Sequence, residues 1–368
     1  MNSKLPAWLD YGVIPLLNLS VALIISGIVI FLIGENPFKA LMVMLQGAFT
    51  YKGSLGYTLY YATNFVFTGL AVAIAFHAKL FNIGGEGQAA IAGLALAFVA
   101  ISLGGVLPAW IVVLLSILAA IAAGAFWGFI PGWLQAKRGS HVVITTIMFN
   151  FIAASISVAL LAGAMQRKGQ SAPETAKFQE GISLPALHEM MGWFGIEITR
   201  SPANFSIIVA LIACFFTWVF IWRTKWGYMI RASGASPRAS LYAGHHPAFL
   251  TMLAMSLAGA MAGLMALNEL LGAQQKLVVD YTSGYGFTGI AVALMGRNHP
   301  VGIILASLLF GMLYQGGSEL DFVFQSISRE FVLLIQGLII LFSGALAYMF
   351  NPYVEKLYLR FKESKTHG

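Results

Sequence analysis

Runs of about 20 apolar residues recur along this chain, each long enough to cross the hydrocarbon of a bilayer as a helix. They are Val13–Ile33, Tyr57–Phe76, Gln88–Leu103, Pro108–Ile130, Val142–Ala164, Phe205–Trp222, Phe249–Leu271 and Arg329–Phe350. Lipid offers no partner for backbone N–H and C=O groups, so runs of this kind are confined to helices. Charge is too scarce for a hydrated surface: 10% of the 368 residues are Asp, Glu, Lys or Arg, and the mean hydropathy is +0.81. A soluble domain carries about a quarter charged residues. Two shorter apolar pieces, Tyr285–Gly296 and Val301–Gly316, flank the polar turn RNHP and form either two short crossings or a re-entrant pair. The expected fold is an all-α polytopic membrane protein with about ten transmembrane or partly spanning helices.

Basic residues orient the spans. One side collects Lys4, Lys79, Lys137, Arg138, Arg223, Lys225, Arg231, Arg238, Arg297, Lys356, Arg360, Lys362 and Lys365, which is 13 of the 21 Lys and Arg. The positive-inside rule then places both termini in the cytoplasm of a multi-pass inner (plasma) membrane protein. The formal charge of +7 faces anionic lipid and a cytoplasmic partner, so no nucleic-acid partner is implied. The organisation expected is an N-terminal helix and first external loop over 1–56, a core over 57–350, and a cytoplasmic tail over 351–368. Within the core, 165–204 is an external loop that reads as a cap, a landing surface or a solvated linker, and 223–248 is cytoplasmic.

The stretch KLFNIGGEGQAAIAG places Gly85, Gly87 and Ala90 in the G-x-G-x-x-A spacing of a dinucleotide turn. That turn needs a preceding strand and an acid about 20 residues on. Here apolar helices lie on both sides and no Asp or Glu occurs between Glu86 and Glu174. The glycines Gly84, Gly85 and Gly87 read instead as a helix break that brings Asn82, Glu86 and Gln88 to a wet seam. No cofactor is expected. No metal is expected either: Cys214 lies alone in an apolar run, and His245 and His246 are adjacent, which points them apart on a helix.

A second stretch, RASGASPRASLYAGHHP, carries helix punctuation. Ser236 suits the N-cap, Pro237 the first helical position and Gly244 the left-handed residue past the end. They enclose about two turns, Pro237–Ala243, too short to stand without other protein. Arg231 and Arg238 give it a charged side, and Leu241 and Tyr242 an apolar one. A helix of this kind between two spans suits a docking point for a cytoplasmic subunit.

The pattern R-A-x-G-x-x-P-x-A-x-x-x-A-G resembles the coupling segment of ABC importer permeases of the branched-chain amino acid, ribose and simple-sugar group. FNIGGEGQ and GYGFTGIAVALMGRNHPVGI resemble the early and late blocks of its nucleoside and simple-sugar branch, the one associated with basic membrane lipoproteins. The resemblance runs from about Tyr57 to the end. It implies a permease for a nucleoside, purine or simple sugar that works by alternating access with a second permease subunit, identical or paralogous, a cytoplasmic ABC ATPase and an external substrate-binding lipoprotein. By position it assigns ATPase coupling to Arg231, Gly234, Pro237, Ala239, Ala243 and Gly244, with Arg238 beside them. Gly85 stands where Ala is common, and Ser233 and Ser236 where relatives carry an apolar residue or Asn.

Polar side chains at membrane depth are functional candidates because burial there is costly. Those assigned to a substrate pathway are Asn64, Asn82, Glu86, Gln88, Asn150 and Asn268, with Phe287 as an aromatic wall; Glu269, Gln274 and Gln336 are further polar candidates. Tyr60, Tyr61, Phe65, Phe67 and Tyr285 either stack on a base or sugar or simply pack. Amides outnumber carboxylates, which suits a neutral hydroxylated or heterocyclic solute. FNIGGEGQ and SGYGFTGI enter from opposite sides under this topology, so an inverted pair of broken segments is expected to line one path. No GxxxxGK[ST], HExxH or GxSxG motif occurs, so ATP hydrolysis is expected in a partner subunit. An ion-coupled secondary transporter of a small polar solute and an intramembrane enzyme stand as the competing classes.

Overall fold

The apolar runs fold as helices, and the polar and glycine-rich joints between them set where each begins. The computed structural model describes residues 13–324 apart from Lys168, together with 6, 9, 326–327, 331–335, 337–338, 341, 353–356 and 358–359. The expected helix Arg329–Phe350, with Gln336, lies largely outside the described residues, as do Lys4 and most of the 351–368 tail. The chain divides into two units, Lys52–Gly311 and a smaller one of Met1–Tyr51 with Met312–Gly368.

In the larger unit, α3 (Ser54–His77) is the central helix, buried on nearly every side from Ala62 to Ala75. Residues 78–84 then run without regular structure to α4 (Gly85–Leu103). α5 (Ala109–Arg138) and α6 (Val142–Leu161) present mostly exposed apolar side chains outward, as spans facing lipid do. α5 continues past the expected end of its span, Ile130, through Pro131 to Arg138, with Lys137 and Arg138 in its last turn. After the short α7 (Leu187–Gly192) come α8 (Ser206–Arg223), α9 (Lys225–Ala235) and α10 (Pro237–Tyr242). α11 (Pro247–Gly263) leads on to a π-helix, Leu267–Gln274. α12 (Tyr285–Met295) has 11 residues and spans about 16 Å, roughly half the hydrocarbon. α13 (Pro300–Val323), with 24 residues, is long enough to cross. The two shorter apolar pieces Tyr285–Gly296 and Val301–Gly316 are therefore one half-length helix followed by one helix of full spanning length.

α5 and α11 cross at glycines. A methyl group on Gly124 would sit 3.2 Å from Gly263 Cα, and one on Gly128 3.2 Å from Gly259 Cα. Spacing by four on both helices lets the two backbones touch, the small-residue packing that holds helices together where water is absent.

In the smaller unit, α1 (Ile14–Leu32) and α2 (Pro37–Phe49) form a pair bent by 118°. Asn36 caps α2, accepting from Phe38 N–H at 2.9 Å and Lys39 N–H at 3.2 Å, with Pro37 at its first position. Within the stretch 1–56, expected to be an N-terminal helix and a first external loop, a second helix therefore follows the first. Among the described residues seven helices are long and apolar enough to cross, or eight with the bent pair as one span. The expectation of about ten transmembrane or partly spanning helices also included the short piece that forms α12, and 329–350.

Candidate functional site

Two helix N-termini meet halfway along α3. α12 lies against the His77 half of α3: Tyr285 meets the Phe65 ring at 5.6 Å, and Asn298 beyond its far end gives its carbonyl to His77 Nε2 at 3.1 Å. α4 leaves in the other direction, its far end Gly104 packed on Gln179 and Ile182 of the 165–204 loop. At the meeting point a methyl on Gly286 would lie 2.6 Å from Glu86 Cα. The FNIGG and SGYGF segments thus touch end to end with opposite directions, as an inverted pair does.

Glu86 joins them. The N–H groups of Gly284 and Gly286 donate to its two carboxylate oxygens at 2.8 and 2.7 Å, and Thr282 adds a side-chain bond. Both helices point the positive end of their dipole at this carboxylate, which satisfies two ends at once. Asn150 braces α4 from α6: its Oδ1 accepts from Gly87 N–H at 2.9 Å and its Nδ2 donates to Ile83 C=O at 3.0 Å. Asn82 accepts from Gly84 N–H at 2.9 Å and donates to Gln88 Oε1 at 3.1 Å. Both amides are enclosed, so they face protein and not a wet seam. The break lies at 78–84; Gly85 and Gly87 sit in the first turn of α4 and permit its close contacts with Gly286 and Asn150. A cavity of about 210 Å³ opens beside this joint, lined by Glu86, Asn150, Ser157, Asp280, Tyr281 and Thr282 among others.

Asn64 and Asn268 belong to a second cluster. Asn268 donates to Asn64 Oδ1 at 2.8 Å and to Tyr60 C=O at 3.0 Å, and it accepts from Asn204 Nδ2 at 2.9 Å and Ser206 Oγ at 2.7 Å. Glu269, 2% exposed, accepts from Asn64 Nδ2 at 2.6 Å, from Gln274 Nε2 at 3.0 Å and from Tyr60. Asn204 and Ser206 carry no motif, and only the fold reveals them; Tyr60, one of the candidate aromatics, joins the cluster through its carbonyl and its side chain. Tyr60, Tyr61, Phe65 and Tyr285 pack ring against ring beside this cluster. Phe287 is 48% exposed and joins neither cluster.

The 165–204 loop is fastened over the π-helix and the residues after it. Backbone bonds run from Leu184 N–H to Leu271 C=O at 2.9 Å, from Phe178 to Gln275 at 2.7 Å and from Thr175 to Leu277 at 2.9 Å. Lys276 pairs with Glu174 at 2.6 Å and holds that carboxyl below its usual range. These bonds count against a solvated linker, and a cap and a landing surface both accommodate them.

At the opposite end of α3, α10 follows its caps as expected. Ser236 accepts from Ala239 N–H at 3.3 Å, Pro237 stands at the first position, and Gly244 takes φ +78°. The helix ends at Tyr242, one residue short of Ala243. Tyr242 is 96% exposed and Leu241 60%, with Arg238 and Ala239 also exposed. Arg231 does not share this surface: it lies half-buried on α9, close enough to interact with His77. Gly234 brings α9 onto the end of α3, where a methyl group would stand 2.6 Å from His77 C=O. His77 also packs edge-on against Trp222 at 4.9 Å, and Trp222 against His299 at 5.0 Å. α3, α8, α9 and the turn after α12 converge on this one histidine.

Residues 54–344 match the family described as branched-chain amino acid transport system / permease component. The chain is 35% identical to a glucose ABC transporter permease protein of Haloferax volcanii, over 92% of this chain and 88% of that one. It is 34% identical to a guanosine ABC transporter permease protein of Bacillus subtilis, over 91% and 93%, and 32% identical to a nucleoside ABC transporter permease protein of Lactococcus lactis, over 89% of each. A chain with these spans, that match and these relatives is a member of the branched-chain amino acid transport system permease family, a multi-pass membrane permease.

Proposed function

We propose that this chain carries a nucleoside or a simple sugar into the cell, as one of a pair of permease subunits driven by a separate ABC ATPase and supplied by an external substrate-binding lipoprotein. The observation that carries the reading is α10, a capped two-turn helix that stands almost bare between two spans. In this reading it docks the ATPase, and both termini share its cytoplasmic side. Arg238, Leu241 and Tyr242 supply the contact; Ser236, Pro237 and Gly244 hold its shape. Gly234 and Arg231 pass its movement to His77 and so to α3 and α12. The solute path follows the joint of α4 with α12 and the cluster around Asn64. Alternating access then amounts to α4 and α12 parting at Glu86 on one side or the other. Hydrolysis of ATP belongs to the partner, and lipid surrounds α5 and α6.

Uptake in proteoliposomes tests this. Guanosine or glucose enters when permease, ATPase, binding protein and ATP are all present. Uptake driven by an ion gradient with this chain alone overturns the assignment.

A further inference from the structure

Glu269 is a carboxylate in the middle of a membrane protein, 2% exposed, and among the described residues no Lys or Arg pairs with it. A neutral amide would bind the neighbouring helices together at lower cost, since an ionisable group taken out of water needs strong compensation. What a carboxylate adds is acceptor capacity: two oxygens with about four lone-pair positions. Asn64 Nδ2 fills one position on Oε1 and Gln274 Nε2 one on Oε2. Tyr60 supplies a third donor. Asn64 and Gln274 are neutral amides, whose bonds to the carboxylate a pair of hydroxyl donors can replace.

The local backbone agrees. Glu269 sits on the π-helix Leu267–Gln274, and a π-turn within a helix shifts side chains out of register, a feature that clusters at functional sites. Across from it lie Asn64, near the midpoint of α3, and the rings of Tyr60, Tyr61, Phe65 and Tyr285. Tyr60 both bonds the carboxylate and packs in that ring cluster. Acceptor and aromatic face therefore stand side by side, the pairing that hydroxylated rings require.

We propose that Glu269 is the solute-contacting acceptor of this permease and that it recognises vicinal hydroxyl groups. The proposal rests on the nucleoside-or-sugar reading above and narrows it. Ribonucleosides and simple sugars differ in ring, size and heteroatoms, yet both offer two neighbouring O–H donors about the width of a carboxylate apart. Those hydroxyls displace Asn64 and Gln274 from Oε1 and Oε2, and the freed amides turn to the solute's remaining oxygens.

The test uses the wild-type complex of permease pair, ATPase and binding protein, and the same complex with Glu269→Gln. The probes are guanosine and D-glucose, each against its 2′,3′- or 2,3-dideoxy counterpart. Direct binding to the detergent-purified permease–ATPase complex without the binding protein is measured by equilibrium dialysis. The diol compound binds the wild type about 10- to 100-fold more tightly than the dideoxy one, the size of a lost bond to a charged group. Glu269→Gln removes that preference and lowers uptake, while ATPase stimulation by loaded binding protein persists. Equal binding of diol and dideoxy compounds by the wild type overturns the proposal without any variant having to fold. Unchanged uptake by Glu269→Gln overturns it as well. If the wild type moves neither guanosine nor glucose, the substrate reading itself fails and this proposal falls with it.

Discussion

Glu86 shows how one side chain can decide where a helix starts. The N–H groups of Gly284 and Gly286 are among those at the start of α12 with no partner inside the helix, and no water replaces one in lipid. A carboxylate answers two of them and the dipole at once. Glutamine in its place has one oxygen to offer and turns an NH2 group toward a donor. Glu86→Gln should therefore destabilise the purified protein by about 1.5–3 kcal/mol, seen as a lower Tm in detergent. An unchanged Tm would mean that α12 is held by its packing on α3 alone. Asn82, Gln88 and Asn150 act alike at this scale: each fixes the irregular 78–84 segment or the first turn of α4. The FNIGGEGQ block can be read as a helix break from its glycines. That Glu86 reaches 198 residues along the chain to another glycine turn cannot be read there.

At the scale of elements, length and apolarity located the spans, because the bilayer sets a minimum that few other structures meet. Cap chemistry located α10 nearly to the residue, since Ser-Pro and Gly act locally. α2 was missed although Asn36-Pro37 announces it, because 13 residues fall short of a crossing and the bend that pairs them with α1 lies outside any window. α9 and the π-helix were missed for different reasons: α9 is a short polar helix inside the cytoplasmic segment 223–248, and the π-helix continues the run of α11 with no break in the chain to mark it. The crossing of α5 with α11 is legible as small residues four apart on both helices. Gly128→Leu or Gly259→Leu must force those backbones apart, where a methyl already meets the opposing Cα at 3.2 Å. Overpacking of this kind costs about 1–3 kcal/mol, and more where the obstacle is main chain. Either variant should melt earlier than wild type and yield less folded protein, whereas Gly192→Ala, with open space around it, should match wild type. Equal melting of all three would show that the crossing is looser than its geometry.

Across the whole larger unit, the arrangement separates contact from transmission. α10 is exposed apart from Ser240, while α9 is seated on the end of α3 at Gly234, beside a histidine that also touches α8 and the turn after α12. None of this is visible along the chain, because the His77–Asn298 bond joins residues 221 apart. The coupling pattern in the sequence puts Arg231 and Arg238 together as one charged face, and the fold divides them. Arg238 is exposed, and Arg231 is half-buried near His77. The two groups should therefore fail in different ways. Arg238→Glu changes the docking surface and should lower retention of the ATPase on the purified permease. Gly234→Val pushes α9 off His77 while leaving α10 intact; the ATPase should still bind, but loaded binding protein should no longer stimulate hydrolysis or drive uptake. Gly244→Val strains a residue at φ +78° by about 1–3 kcal/mol and misdirects the chain as it leaves α10, so it should resemble Arg238→Glu. Co-purification of the ATPase and ATP turnover in proteoliposomes distinguish the two classes. If Gly234→Val releases the ATPase as Arg238→Glu does, docking and transmission are one surface, and the path from α9 through His77 to α12 is not how the permease is driven.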